Sequence, residues 1–273
     1  MKHAIMVIGS GTNADVLQET INVLDDPEID FYIHWDKKFN IPKLNSEKSN
    51  ILFLPDRISV QWGNQTQIEA TIKLLEIIKS KKINYDYIHL ISSNDMPLMT
   101  VDYFKKYFNK EVYLEYDHPI TSAIIHRVSY YYPANIDFRK HKYILKLFKL
   151  FNSIFRINRL KNLKIKKGAN WFSIKYKYVN EILNSNLKIF YHGFCADEIF
   201  VQTILHRFDK IPENVPVSDA NYQAARYIDW KRGGPYVFKM SDISELKLVI
   251  NTKYAFARKI KDPNIIKKVF NEA

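Results

Sequence analysis

The segment FCADEIFVQTIL (194–205) sets two carboxylates, Asp197 and Glu198, at the head of a strongly apolar helical pattern containing Ile199, Phe200 and Ile204. A carboxylate projecting from a rigid helix start can take a proton from a substrate hydroxyl, which is the work of a general base. The spacing predicts Asp197 as the helix cap and Glu198 in the first turn, where the helix dipole favours the anionic form. Any helix favours acids there, so a purely local role for both is the competing reading. Cations form the second group. Lys231 and Arg232 in RYIDWKRGGP (226–235), with Arg258 and Lys259 in YAFARKI (254–260), stand beside aromatic residues. Such cations can hold a diphosphate, or they can be solvated surface charges. Asp36 in HWDKK and Asp95 in SSNDMP end two apolar runs. Hard divalent ions need several oxygen ligands close together, and isolated aspartates make a poor cage. Recognition of hydroxyl groups, or capping of a turn, is left for both.

Other chemistries find no purchase. The loop GSGTNAD (9–15) lacks the GxGxxG spacing, and GxxxxGK[ST] is absent, so this loop reads as a turn that could still face a ligand. Eight histidines include no i, i+4 pair and no HExxH, which argues against a structural zinc. No GxSxG is present, and Cys195 between Phe194 and Ala196 reads as a small buried hydrophobe. One cysteine makes neither an intramolecular disulfide nor a CxxC metal site, so a reducing cytosol is expected.

The elements that must position these residues show a βαβ rhythm over the first 120 residues. Strands are predicted at 4–8, 30–35, 51–55 and 85–92, and helices at 14–24 and 66–80, the latter with Ile68, Ile72, Leu75 and Ile78 on one stripe. That alternation implies a mostly parallel central sheet flanked by helices, with ligands at the carboxyl ends of its strands. Asp36 and Asp95 stand at two such ends. The second half is less regular, with strands predicted at 112–116, 123–132, 171–174 and 236–239. No linker separates the halves, so one α/β domain is expected: residues 1–120 as a nucleotide-binding half and 121–273 as an acceptor and catalytic half.

With 273 residues and 47% hydrophobic content the chain can bury a sizeable core, which excludes a disordered or mucin-like protein. Its net charge of +12 is concentrated: residues 139–167 carry eleven bases and no acid, leaving +1 elsewhere. That segment interleaves its bases with Ile144, Leu147, Phe148, Phe151, Ile154 and Phe155 at helical spacing. A basic amphipathic helix is drawn to anionic membranes, whereas the plainer alternative is a half-buried helix with a solvated Lys face. No zinc-finger, RNP or helix-turn-helix pattern accompanies it, so a nucleic-acid partner is not expected. The apolar run 4–8 is too short for a signal peptide or a membrane span, and a soluble or peripheral protein is expected.

Taken in order, DDPEIDFYIHWDKK (25–38), ISVQWGNQTQIEA (58–70), YDYIHLISSNDMPLMT (85–100), KGANWFSI (167–174), CADEIFVQTIL (195–205) and FARKI (256–260) resemble the core-2/I-branching N-acetylglucosaminyltransferases, glycosyltransferase family 14, and in particular compact bacterial members. The resemblance implies a single GT-A-like nucleotide-sugar-binding domain that transfers a sugar, GlcNAc first among candidates, from a UDP-sugar with inversion. It also implies that no metal or other cofactor is required. Its catalytic base falls on Glu198, in Ala196-Asp197-Glu198, where the family has Pro in place of Ala196. Its diphosphate-binding Lys falls on Lys259, beside Arg258, with Arg232 as the nearest upstream basic partner. Val7, Asp36 and the SVQWG segment with Ser59 and Gln61 match the uridine side, with Asp95 also assigned to the donor. Arg127, Tyr130, Trp171 and Asp197 are assigned to the acceptor, a glycan or lipid-linked oligosaccharide of bacterial surface polysaccharide synthesis. Cytoplasmic location, peripheral on the inner membrane face, accords with such an acceptor. A non-catalytic carbohydrate- or lipid-binding protein is the rival reading.

Overall fold

Strands covered on both faces must be apolar almost continuously, and two early runs meet that condition: β1 (His3–Gly9) and, after the crossover helix α1 (Asp15–Val23), β2 (Ile29–Trp35). A computed structural model describes residues 1–134, 136–160, 163–210 and 220–270 of the chain. The alternation continues through β3 (Ile51–Phe53), α2 (Thr66–Ser80) and β4 (Tyr87–Ser92). Then come β5 (Asp95–Pro97), α3 (Val101–Tyr107), β6 (Val112–Tyr113), α4 (Ser122–Ser129) and α5 (Lys142–Ile154). The remainder holds β7 (Ser173–Lys175), α6 (Val179–Asn184), α7 (Phe200–Ile204), α8 (Ala220–Gln223), β8 (Arg226–Ile228), α9 (Ile243–Leu248), β9 (Phe256–Arg258) and α10 (Pro263–Phe270).

The central sheet runs β3-β2-β1-β4-β7-β6. Its first four strands are parallel, and β7 lies antiparallel to both β4 and β6, with Ile88 opposite Ile174. One face is covered by α2, whose Ile68, Ile72, Leu75 and Ile78 join Met6, Leu90 and Ile174 in a core that extends to α6 and α7. The other is covered by α1 and α3, where Leu17, Ile21 and Phe104 meet Ile5, Ile33 and Ile91. A small sheet, β5-β9-β8, sits beyond the carboxyl end of β4 and is backed by α10. In it β5 lies antiparallel to β9 with Asp95 directly opposite Arg258.

Three readings of the second half need correction. Residues 123–132 do not form a strand: α4 occupies Ser122–Ser129, because Thr121 caps it through a bond accepted from the Ile124 amide, while Ile124 and Val128 share one apolar face. Residues 236–239 lie in an irregular segment, and the run 112–116 is a strand only at Val112–Tyr113. The two halves interlock, since β7 inserts between β4 and β6 while β5 pairs with β9.

Candidate active site

Glu198 closes a 3₁₀ turn, Ala196–Glu198, one residue before α7. The turn is set by Cys195, whose φ of 49° is left-handed and whose amide donates to the Gly63 carbonyl at 2.9 Å. That kink costs roughly 1–2 kcal/mol, and the helix expected to start at Asp197 begins only at Phe200, after a separate 3₁₀ turn. Asp197 therefore does not cap a helix: it is buried, with Oδ1 unpaired. Nor does Glu198 stand in the first turn of α7. Fixed charges orient it instead. Arg127 Nη2 lies 2.8 Å and Lys167 Nζ 3.9 Å from Glu198 Oε2, and the carboxylate remains partly open to solvent. Arg127 is held on its own side by the Phe194 carbonyl, at 3.1 Å from Nε, and by the Cys195 carbonyl. The Gly168 amide donates to the Glu198 carbonyl at 3.0 Å, and a Cβ on Gly168 would fall 1.9 Å from the Glu115 carbonyl oxygen, so glycine is required there.

Two buried acids flank this carboxylate. Burial, and then the charge of Glu198, push Asp197 up to about 7 against the pull of Arg127 and Lys167. Burial, and then Asp117, push Glu115 up to about 8. An acid raised in this way keeps a proton in the folded chain that the unfolded chain releases. Its stabilising contribution is full below the unfolded value near 4 and is lost as pH rises through the folded value. Asp197→Asn is accordingly expected to flatten the fall in unfolding free energy between pH 5 and pH 8, by a few kcal/mol at most. Urea unfolding of both proteins at those two pH values measures it; parallel curves would mean that Asp197 is ionised throughout.

The cationic side is built on the small sheet. Arg258 Nη1 donates to Asp95 Oδ1 at 2.7 Å and to Ser92 Oγ, while Asp95 Oδ2 accepts the Ser92 amide at 2.7 Å. The oxygens of Asp95 are thus engaged in holding Arg258, whose guanidinium carbon lies 4.5 Å from the Trp171 ring centre. Beside it Lys259 is half-buried, and burial, followed by Arg258 and Lys261, lowers its pKa, with Asp95 opposing and Arg139 adding to the effect. Among the described residues no carboxylate forms an ion pair with Lys259. A half-buried cation crowded by cations is a site short of an anion.

One short segment joins the two sides. Lys167 reaches Glu198, and Trp171, four residues on, lies against Arg258. Four extended residues span about 14 Å at most between their Cα atoms, so one short segment carries both the contact to Glu198 and the contact to Arg258.

The uridine side, as read from the sequence, is contiguous in part. Asp36 follows β2 and pairs with Lys38 at 3.1 Å; Lys38 also donates to the Val60 carbonyl, and the Lys37 amide to that of Ile58. These bonds tie Asp36 to the loop bearing the exposed Ser59 and the half-buried Gln61, whose buried Oε1 has no partner. Val7 is fully buried mid-strand, so its side chain belongs to the core beneath. Arg232 lies elsewhere in the balance of charge: Asp229, Asp242 and Glu245 all pair with it. The residues read as acceptor-binding divide. Arg127 and Asp197 gather at Glu198, Trp171 joins Arg258, and Tyr130 stacks on His126 at 4.2 Å. Lys167, Ser92, Glu115 and Arg139 were missed; the first two lie inside segments already singled out, KGANWFSI and SSNDMP. Among the described residues no three His, Cys, Asp or Glu side chains converge as a metal site.

A mostly parallel six-stranded sheet flanked by helices is the architecture of a single GT-A-like domain. The family model described as Branch, Core-2/I-Branching enzyme, matches residues 4–248, and the chain belongs to that family. It is also similar to Xylosyltransferase oxt of Drosophila pseudoobscura pseudoobscura, with 20% identity over 284 residues, covering 94% of this chain and 31% of that protein. The chain thus spans about a third of the relative's length.

Proposed function

We propose that the chain is an inverting, metal-independent glycosyltransferase that moves a sugar, GlcNAc foremost, from a UDP-sugar to a glycan hydroxyl. The single observation that supports this most is the Lys167–Trp171 segment, whose two ends touch the Glu198 carboxylate and Arg258, the neighbour of Lys259. Glu198 takes the proton of the acceptor hydroxyl as its oxygen bonds to the anomeric carbon. The bond from that carbon to the UDP oxygen breaks on the opposite face, and the electron pair leaves with UDP. Lys259 and Arg258 meet the charge that builds there, the task a metal would otherwise perform. Asp95 and Ser92 hold Arg258, and Arg127 and Lys167 aim Glu198, so these four are positioning residues. Asp36, Ser59 and Gln61 line the uridine side. In this reading the acceptor is a glycan or lipid-linked oligosaccharide of bacterial surface polysaccharide synthesis, met in the cytoplasm or at the inner membrane face.

Calorimetric titration of UDP and UDP-sugars in excess EDTA tests the donor assignment. Binding that persists in EDTA is expected, with the preferred sugar nucleotide tightest. Binding restored only by manganese would overturn metal independence. Indifference to every uridine nucleotide would overturn the transferase and favour a carbohydrate- or lipid-binding protein.

A further inference from the structure

The first half of the basic segment forms α5, Lys142–Ile154, and its seat on the body is fixed from one side only. Asn152 is buried and exchanges two hydrogen bonds with the Tyr131 backbone, at 2.7 and 3.0 Å, and Phe148 stands edge-on to Phe138. Ile144 and Leu145 face inward with them. Because each residue turns the helix by about 100°, Tyr143, Leu147, Leu150 and Ile154 then form an outward stripe. It is bare: Leu147 is 64% and Ile154 65% exposed, with Phe151 and Phe155 exposed beside them. Lys142, Lys146 and Lys149 run along one flank of that stripe and border a cavity of about 350 Å³ floored by Trp62, Phe138 and Phe194. Arg139 lies 4.4 Å above the half-exposed Trp62 ring at its rim.

We infer that α5 and this cavity dock the protein on a bilayer containing anionic lipid, with the bare stripe among the acyl chains, the lysines at the headgroups and the cavity around a lipid phosphate. Charge selects this occupant, because Arg139, Lys142, Lys146 and Lys149 gather at this face, whereas Lys166 and Lys167 of the same basic segment turn to Asp209 and to Asp117 and Glu198. A second copy of the same face would bring those bases together, and a neutral partner would leave them unmatched. The anchoring by Asn152 means that the stripe is presented as a fixed surface, suited to shallow insertion. Docking through this face is independent of the transferase reading. It uses the face of a protein in which, among the described residues, no helix is long and apolar enough to cross a membrane.

Flotation of the whole chain with phosphatidylcholine vesicles, plain or mixed with phosphatidylglycerol, is the test. Wild type is expected to bind the anionic vesicles at least about tenfold more tightly, and less so at high salt. Replacing Lys142, Lys146 and Lys149 by Gln is expected to weaken that binding by roughly a hundredfold, at about fivefold per cation. The triple variant Leu147→Asn, Leu150→Asn, Ile154→Asn is expected to lose flotation while keeping its melting temperature, because all three side chains are exposed. Equal binding to both vesicles, or full binding by the Asn variant, would overturn the inference. So would a lipid-free wild-type dimer that the Asn variant converts to monomer, since the face would then be covered by a second copy.

Discussion

Glu198→Gln is expected to lower the rate of sugar transfer by roughly 10² to 10⁴ while leaving the protein folded and able to bind UDP. The substitution keeps the shape of the side chain and the capacity to accept hydrogen bonds from Arg127 and Lys167. What it removes is the oxygen that takes the acceptor's proton. The carboxylate is more than a third exposed, so its ion pairs are screened and their loss should move the melting temperature little. The split between constants is the diagnostic part: kcat should collapse while the KM for donor stays within a few-fold, because the Gln amide still fills the space beside the acceptor. Turnover within a few-fold of wild type would remove Glu198 from the base's role. The next candidates would be Asp197 and Glu115, each of which burial makes a stronger base than an exposed carboxylate.

How far such assignments can be read ahead of a structure depends on the range of the interactions behind them. β1, β2 and β4 are legible because each is buried almost throughout, and burial on both faces leaves a largely apolar run in the sequence, interrupted only by buried polar residues such as Asp30, His34 and His89. α2 is legible for the complementary reason, since its apolar residues recur with the helical period. The strands β5, β8 and β9 have three residues each and exist by pairing with one another across the chain, so no local pattern announces them. α4 misleads because Ile124, Ile125 and Val128 are strand-forming types, whereas Thr121 and a two-sided environment, one face packed and Ile125 exposed, decide for helix.

The site divides along the same line. Glu198 stands in a motif whose residue types suggest its chemistry, whereas Lys259 is singled out from four candidate cations only by the family resemblance. The surroundings of both cannot be read from the chain. Arg127 meets Glu198 from 71 residues away, and Arg258 meets Asp95 from 163, contacts that only the folded sheet creates. The position of Asp197 turns on a single left-handed residue, Cys195, a backbone state its side chain does not advertise.

Lys259→Ala carries the second large effect, a loss of about 3 to 4 kcal/mol in transition-state stabilisation, or roughly 10² to 10³ in rate. The reason lies in what each cation is already doing. Arg258 is committed to Asp95 and Ser92, and Arg232 is matched by three carboxylates, so neither has a full charge to lend. Lys259 has burial and neighbouring cations working against its charge, Asp95 only partly offsets them, and among the described residues no carboxylate forms an ion pair with it. A diphosphate arriving there relieves a repulsion as well as making a contact, and charge building on the departing UDP deepens the same attraction. The loss should therefore appear in UDP affinity and, more strongly, in kcat, in contrast to Glu198→Gln, which spares affinity. Arg232→Ala is the informative control, since breaking its three ion pairs should cost stability and leave UDP affinity near wild type. If the two variants behaved the other way round, with Arg232→Ala losing UDP and Lys259→Ala keeping it, the diphosphate would have to be moved to the Arg232 side, with Asp229, Asp242 and Glu245 releasing that guanidinium when the donor binds.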